Sequence, residues 1–366
     1  MTKISVSFWA FLLLLITACT PEARTPIVAD IPFSVAHRGA HIDGLIPENA
    51  PSGVEMAARM GFRAIECDVH YTQDSVMILM HDATINRTMR LRDGYKEIPE
   101  QVRYSDLSYA ELRDKYILAS DEEQYRQPIP TFDEELEALK KHGIIPMMHT
   151  DLPEAFQRAH EVLGDGFIAF TTNYDALVEA RKISSGCMIL WDPGWTGADE
   201  TIEKLRALGG RCGISSMKMD LLTKEYVGKI RQAGYDVQSS IFPAPHDMDA
   251  AENGCSIILS DFSLFPAMDD AIRKDSPVKT FSNLDLKAGE KLVLDSWEEA
   301  ELFSVEAQIL SSGDVSLMVG GTEYPVRGDS IGRIVGRRFH KCASQVEIIA
   351  HSNAHVNRVS VQKFDY

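Results

Sequence analysis

The stretch FRAIECDVHYTQDSVMILMHD (residues 62–82) joins two apolar runs through a short polar segment. Residues 62–71 and 76–80 have the apolar and β-branched composition of strands. Asp74-Ser75 between them is typical of a two-residue hairpin turn. The second run is therefore expected to return antiparallel to the first and to form an arm beside the main sheet.

One face of the first run carries two carboxylates. Glu66 and Asp68 alternate with Cys67, so both acids are expected on the same face of the strand. Pairing that is symmetric about the predicted turn places Asp68 opposite His81, with Cβ atoms roughly 4.5–5.5 Å apart. Two carboxylates on one face repel each other unless a cation lies between them, which favours Mg²⁺ or Ca²⁺. The alternative interpretation is a half-exposed strand whose polar residues face solvent.

Short apolar runs alternate with helical segments as far as about residue 266, an order typical of parallel strands joined by helices. This part of the chain contains nine strand candidates, and removing the hairpin arm leaves the eight that a closed barrel needs. We therefore predict an α/β fold, a TIM-like (β/α)8 barrel, over residues 33–275. The strand candidates are residues 33–36, 62–71, 76–80, 144–148, 166–171, 187–191, 211–217, 236–242 and 256–259, and the main helix candidates are residues 50–60, 131–142, 154–163, 174–184, 199–208 and 223–233.

Two regions depart from this alternation. Residues 82–130 form a polar stretch with one short helical candidate, which is typical of an insertion on the rim of a barrel. Helical periodicity stops after residue 266, and residues 281–366 contain short β-rich runs separated by turns. We predict a small C-terminal β-sandwich domain over residues 281–366.

The N-terminal residues have the composition of a targeting segment. Lys3 precedes an apolar run at residues 6–16 that is too short for a membrane span of about 20 residues. Ile16-Thr17-Ala18-Cys19 resembles the bacterial lipobox, in which the cysteine is acylated. We expect a signal peptide over residues 1–19, a tether over residues 20–32, and a lipoprotein anchored in the bacterial cell envelope, in the periplasm or at the outer membrane. A plain secretory signal is the alternative.

Composition limits the partners. The formal net charge of −17 disfavours nucleic acid and anionic surfaces, because the summed field repels phosphate. A phosphate-bearing substrate would therefore need local cations. Five cysteines remain beyond Cys19, an odd number without Cys-x-x-Cys spacing, so neither a disulfide framework nor a zinc site is predicted.

A further group of polar residues follows the first predicted strand. Barrel enzymes place catalytic groups where strands end, and an arginine fork can bind two phosphate oxygens. The chain contains, in this order, the motifs His37-Arg38-Gly39, Pro47-Glu48-Asn49, Glu66-x-Asp68, Thr72-x-Asp74, His81-Asp82 and Thr84-x-x-Arg87-Thr88. In order and spacing, these motifs resemble the glycerophosphodiester phosphodiesterase family.

The resemblance implies hydrolysis of a small-molecule or lipid-derived glycerophosphodiester to glycerol 3-phosphate and an alcohol, with a divalent metal as cofactor. It also implies roles for individual residues. The acid/base pair would be His37 and His81, the metal ligands Glu66 and Asp68, and the substrate contacts Arg38 and Glu48.

The chain departs from the family pattern at its fourth strand candidate. Relatives usually carry Glu-x-Lys there, a metal ligand and a phosphate cation, whereas this chain carries His149-Thr150-Asp151. His149 and Asp151 are therefore candidate metal ligands, and Lys218 is a candidate replacement for the missing cation. The resemblance favours Ca²⁺ or Mg²⁺ as the cofactor. Mn²⁺ and Zn²⁺ are further candidates, because the imidazole of His149 suits transition metals.

Two other functions remain open. A barrel that has lost catalysis could serve as a phosphodiester-binding envelope lipoprotein, which the altered fourth strand candidate and the added β-rich domain would suit. A related phospholipase acting on inositol lipids or sphingolipids would share the barrel and the histidine pair. The presence of both histidines together with the Glu-x-Asp pair favours the glycerophosphodiesterase.

Overall fold

The computed structural model describes residues 32–42, 44–241, 246–261, 276–326 and 330–365. The predicted signal peptide lies outside these residues, as do all but the last residue of the predicted tether. None of the described helices is long and apolar enough to cross a membrane. In the N-terminal part, the strands are β1 (Phe33–Ala36), β2 (Ala64–Tyr71), β3 (Met77–Leu79), β4 (Met89–Leu91), β5 (Tyr116–Leu118), β6 (Ile145–His149), β7 (Ile168–Thr171), β8 (Met188–Trp191), β9 (Cys212–Ser216), β10 (Asp236–Ser240) and β11 (Ile257–Ser260).

The helices lie between these strands as predicted. They are α1 (Pro51–Arg59), α2 (Tyr109–Lys115), α3 (Phe132–His142), α4 (Pro153–Leu163), α5 (Tyr174–Ile183), α6 (Ala198–Leu208), α7 (Lys224–Gln232) and α8 (His246–Glu252). Local sequence sets their ends: Thr131 and Glu134 form a capping box that starts α3, and Gly143 ends it with a left-handed φ of 66°. The sequence analysis did not predict α8.

Eight parallel strands close into the predicted barrel. Their order is β1-β11-β10-β9-β8-β7-β6-β2, and β1 pairs with β2 to complete the ring. Alternate residues of these strands fill the interior, among them Val35, Met147 and Leu190. The other faces of the strands pack against the helices in a larger hydrophobic cluster. The TIM-like barrel is thus confirmed.

The hairpin arm is present, but its predicted register is wrong by one residue. β3 pairs antiparallel with β2, with Val69 opposite Leu79, so Asp68 does not lie opposite His81. The turn contains three residues rather than two, because Thr72 N donates to Val76 O across residues 73–75 and Ser75 takes a left-handed φ of 60°. Such three-residue turns are the next most common hairpin connection after two-residue ones.

The rim insertion has a small core of its own. β4 and β5 form a two-stranded sheet, and α2 begins at a capping box formed by Ser108 and Glu111. Buried residues of this region, including Ile85, Met89 and Leu112, form a hydrophobic cluster separate from that of the barrel. The insertion therefore holds a defined shape beside the barrel mouth.

The C-terminal part is β-rich as predicted, and its strands form one continuous hydrogen-bonded sheet with a hydrophobic cluster of its own. The strands are β12 (Val278–Leu286), β13 (Lys291–Ser311), β14 (Val315–Val319), β15 (Thr322–Val326), β16 (Ser330–Ala350) and β17 (Ala354–Asp365). They pair antiparallel in the order β12-β17-β13-β16-β14-β15. Register shifts along β13 and β16 let single long strands bend where the sequence suggests separate short ones.

A buried acid lies between α3 and the barrel wall. Glu135 is fully buried, and neither of its carboxylate oxygens has a hydrogen-bond partner within the described part of the chain. Burial raises its pKa to about 8. Burial, followed by the nearby charge of Glu135, also raises the pKa of the Cys67 thiol on β2. A buried carboxyl without a partner destabilises the fold most when it is ionised.

We expect Glu135→Gln to remove a pH-dependent loss of stability. The folded-state pKa of about 8 lies above the ordinary value of 4.5, so between these values the folded chain holds a proton that the unfolded chain has lost. The free energy of unfolding of the wild type therefore falls with rising pH across that window, by about 1.4 kcal/mol per pH unit. Urea midpoints of the variant and the wild type should agree at about pH 5, and the variant should be more stable at about pH 8.5. Glu137→Gln on the exposed face of α3 is the matched control, and equal pH dependence in all three proteins would contradict the prediction.

Candidate active site

Three potential metal ligands meet at the carboxyl ends of β2 and β6. Glu66 and Asp68 are buried on β2, and the strand register places His149 of β6 beside Asp68. Nδ1 of His149 lies 3.1 Å from Asp68 Oδ1 and 3.9 Å from Glu66 Oε1. One ligand atom from each residue lies within 4.8 Å of the others. Two carboxylates and an imidazole at this spacing fit a divalent cation.

The electrostatics of this group differ between its two acids. Burial, followed by the charge of Asp68, raises the pKa of Glu66 well above its usual range. Burial also acts to raise the pKa of Asp68, but hydrogen bonds from His149 and Asn49 outweigh it and hold that pKa at about 2. A cation at the group would favour the ionised form of Glu66, which burial otherwise opposes.

Two residues in the left-handed backbone region shape the wall next to this group. Arg38 and Asn49 have φ angles of 51° and 52°, a strained conformation for non-glycine residues. In this conformation Arg38 N donates to Glu66 Oε2 at 3.0 Å, and the Asn49 side chain donates to and accepts from Asp68. Arg38 Nε is buried without a hydrogen-bond partner in the described part of the chain and lies 3.8 Å from Asp68 Oδ2. A donor of Arg38 is thus buried beside the carboxylate group.

His37 is held in place by an acid from the last barrel strand. Its Nδ1 lies 2.7 Å from Asp261 Oδ1, and its Nε2 lies 4.0 Å from Glu66 Oε2. A carboxylate accepting from Nδ1 sets the tautomer in which Nε2 is free to exchange a proton on the side of Glu66. His41 donates to His37 O at 2.9 Å and also faces Asp261. Asp261 therefore orients His37.

His81 reaches the same region at the end of a chain of ion pairs. Its Nδ1 lies 2.8 Å from Asp82, and Arg87 donates to Asp82 at 2.6 Å and to Glu48 at 2.7 Å. A hydrogen bond from Arg87 lowers the pKa of Asp82. The predicted strand pairing does not position His81, because β3 ends before this residue. The charge of His81 nevertheless contributes to the low pKa of Asp68.

Glu48 is the centre of this ion-pair chain. It accepts two bonds from Arg87 and two from Arg38, at 3.1 and 3.2 Å for the latter. Burial acts to raise the pKa of Glu48, but these arginines outweigh it and lower the pKa. Glu48 thus links the arginine beside the metal group to the residues that hold His81.

Two predicted site residues do not join the metal group. The Asp151 carboxylate accepts a hydrogen bond from Thr171 and is not part of the ligand cluster. Lys218 follows β9, across the barrel from β2, and its Nζ lies 5.3 Å from the centre of the Trp195 ring. The sequence analysis in turn assigned no role to Asn49, Asp82, Arg87 or Asp261. The first three lie within the motifs of the resemblance, and this is the signal that could have identified them. For Asp261 the signal is its position directly after the strand that pairs with β1.

Comparisons with known proteins match part of the chain to a protein family. Residues 37–185 match the Glycerophosphoryl diester phosphodiesterase family. Glycerophosphodiester phosphodiesterase 1 of the mouse is 32% identical over 114 residues, which are 30% of this chain and 31% of that one. The uncharacterized protein YqiK of Bacillus subtilis is 27% identical over 243 residues, 62% of this chain and 93% of that one.

The barrel fold has solved counterparts. A structure from Silicibacter pomeroyi, whose name assigns it to the glycerophosphoryl diester phosphodiesterases, superposes with a TM-score of 0.51 at 18% identity, covering 63% of this chain and 90% of that one. At this identity the likeness shows the barrel fold alone. The family match, by contrast, spans the residues from His37 to His149 that build the carboxylate group and the ion-pair chain. Residues 37–185 of the chain are thus similar to the glycerophosphoryl diester phosphodiesterase family.

Proposed function

We propose that the barrel hydrolyses glycerophosphodiesters to glycerol 3-phosphate and an alcohol, with a divalent metal ion bound by Glu66, Asp68 and His149. The observation that carries this proposal is the buried group of two acids and an imidazole, with His37 held beside it by Asp261 and the charge of His81 acting on Asp68. The mouse relative named for glycerophosphodiester phosphodiesterase activity supports it.

The ligand set suits a divalent ion, because one ligand atom from each of the three residues lies within 4.8 Å of the others. The bound ion would supply Lewis-acid stabilisation of the phosphate charge. Glu66 and Asp68 provide the oxygen donors that Mg²⁺ and Ca²⁺ prefer, whereas His149 adds a nitrogen donor that suits Mn²⁺ or Zn²⁺. Asn49 and the backbone N–H of Arg38 keep the two carboxylates oriented, since each donates to one of them.

Arg38 is placed to bind the phosphate of the substrate. It lies beside the metal group, and its buried Nε has no hydrogen-bond partner among the described residues. Glu48 holds the other end of the guanidinium, so the predicted substrate contact of Glu48 acts through Arg38. This local cation offsets the repulsion that the net charge of −17 exerts on a phosphodiester.

The two histidines divide the proton transfers. Asp261 holds His37 with Nε2 towards Glu66, while Asp82 holds His81 on the side of the rim insertion. One histidine accepts the proton of the attacking hydroxyl, which comes from water or from the glycerol 2-hydroxyl. The other donates a proton to the departing oxygen, so that it leaves as an alcohol and not as an alkoxide.

The N-terminal sequence supports a place in the cell envelope. We propose that Cys19 is acylated and anchors the enzyme to a membrane at the periplasmic or outer-membrane side. The apolar run of residues 6–16 and the small residues before Cys19 are the features that support this.

The first test is metal dependence. We expect EDTA to abolish release of glycerol 3-phosphate from glycerophosphocholine, and one of Mg²⁺, Ca²⁺, Mn²⁺ or Zn²⁺ to restore it. His149→Glu replaces the nitrogen donor with an oxygen donor and should move the ion preference towards Mg²⁺ or Ca²⁺. Asp151→Asn is the matched control and should keep the wild-type ion preference. Turnover that chelation leaves unchanged would contradict the proposal.

A second test addresses the orientation of His37. Replacing the imidazole by His37→Ala should lower kcat by roughly 10²–10⁴-fold, the usual contribution of a general acid or base. Asp261→Asn keeps the imidazole but weakens its orientation, so it should lower kcat by a smaller factor with KM nearly unchanged, and Asp261→Glu should restore part of the rate. A wild-type kcat in Asp261→Asn would show that the acid does not act through His37. Asp220→Asn on an exposed loop is the control.

The anchor is tested separately. Wild-type chain expressed in a bacterium should incorporate labelled palmitate and sediment with membranes, whereas Cys19→Ser should lose the label. Thr17→Ser keeps a small hydroxyl residue in the same segment and should retain the label. Equal labelling of the wild type and Cys19→Ser would contradict acylation at this cysteine.

A further inference from the structure

Two large apolar side chains are exposed on the described part of the barrel, and Lys218 links them. Trp195 is 66% exposed in the loop after β8, and Met217 is 61% exposed in the loop after β9. Lys218 joins them, because it follows Met217 in sequence and its Nζ lies 5.3 Å from the centre of the Trp195 ring. We call Trp195, Met217 and Lys218 the rim patch.

The rim patch shares the barrel mouth with the site. The carboxyl ends of all parallel strands open at one end of a barrel, and the metal group lies at that end of β2 and β6. In the closed order of eight strands, β8 and β9 lie across the ring from β1 and β2. A phosphodiester bound at the metal group therefore has the rim patch on the far side of the same opening.

We propose that the rim patch docks the barrel mouth onto a lipid surface, so that the enzyme takes glycerophosphodiesters whose glycerol carries an acyl chain. The substrate part of this inference rests on the proposed function; the docking itself does not. Tryptophan combines a large apolar ring with one N–H donor, and such side chains are enriched where water meets lipid. The ammonium nitrogen of Lys218 lies over the same ring, 5.3 Å from its centre, and a lysine at the edge of an apolar patch can reach lipid phosphate.

The size and charge of the rim patch favour lipid over a protein partner. Two apolar side chains are far fewer than the roughly 20–30 residues that each side of a stable protein interface contributes. Lys218 makes no ion pair with any described residue, which leaves a local positive charge on a strongly acidic chain. This charge complements the phosphate layer of a lipid surface.

The predicted tether permits this orientation. Residues 20–32 join Cys19 to the amino end of β1, which is opposite to the mouth. Thirteen residues reach at most about 45 Å when extended. Barrel strands of four to eight residues are shorter than this, at about 3.3 Å per residue. An anchored chain could therefore turn its mouth to the membrane that holds it.

The kinetic test compares two substrates that differ only in the acyl chain. The full chain and its Trp195→Ala/Met217→Ala variant are assayed in one detergent with 1-palmitoyl lysophosphatidylcholine in mixed micelles and with soluble glycerophosphocholine. We expect the variant to lose about tenfold in kcat/KM on the micellar lipid. On the soluble diester it should match the wild type. Val293→Ala, at a site 49% exposed in the C-terminal sheet, is the matched control and should change neither rate.

An independent measurement follows the docking without turnover. Vesicles of phosphatidylcholine brominated in the acyl chains quench nearby tryptophan emission, and the difference between wild type and Trp195→Phe isolates Trp195. We expect quenching that depends on Trp195. Equal kinetic losses on both substrates would mean that the rim patch contacts the diester itself, and absence of Trp195-dependent quenching would mean that it does not meet lipid; either result overturns the inference. If the wild type hydrolyses neither substrate with any ion, the proposed function fails, and quenching alone decides the docking.

Discussion

Two carboxylates buried side by side on one strand impose the main constraint on this barrel. Glu66 and Asp68 are almost inaccessible to solvent, and two anions in such a place repel each other unless donors or cations surround them. The surrounding groups that hydrogen-bond to the two carboxylates are the backbone N–H of Arg38, the side-chain amide of Asn49 and the imidazole of His149. The first two come from the connection between β1 and α1, and the third comes from β6. The arrangement of the β1–α1 connection and of β6 is therefore tied to the charge on β2.

The same constraint explains the unusual backbone beside β1. Arg38 and Asn49 both take left-handed φ angles, which cost free energy outside glycine. The bond from Asn49 N to Arg38 O, at 2.9 Å, joins the two strained residues to each other. Strain of this kind persists where surrounding contacts over-determine the conformation. Here the contacts are the bonds to the buried carboxylates, so the site and its supporting loop stabilise each other.

The sequence predicted those parts of the molecule that depend on local pattern. The alternation of Glu66, Cys67 and Asp68 placed both acids on one face, and the apolar runs located all nine strands of the barrel and its arm. The hairpin register depended instead on Ser75 taking a left-handed conformation, which leaves no trace in apolar periodicity. A register deduced from a two-residue turn therefore placed His81 opposite Asp68, one residue away from the observed register.

Contacts between distant residues were harder to predict. Asp261 and His37 are 224 positions apart, and only the closure of the barrel brings β11 beside β1. The ion-pair chain through Arg87 likewise depends on how the rim insertion folds against the β1–α1 connection. In the C-terminal sheet the sequence predicted too many strand ends, because bulges interrupt the pattern of β13 and β16 without ending either strand.

The altered residues at the end of β6 change the charge balance of the site. In the family pattern a Glu at this position would give the group three carboxylates, a formal charge of −3, with a Lys two residues later to attract phosphate. With His149 the group carries two carboxylates, so a divalent ion would bring its formal charge to zero rather than −1. A neutral group repels the phosphodiester less than an anionic one, which reduces the need for the lost Lys. Asp151 in turn directs its carboxylate to Thr171 and stays outside the ligand cluster. His149 thus removes one anion from the ligand group, whereas Asp151 replaces a cation with an anion outside that group, and Arg38 is the cation that remains beside the two carboxylates.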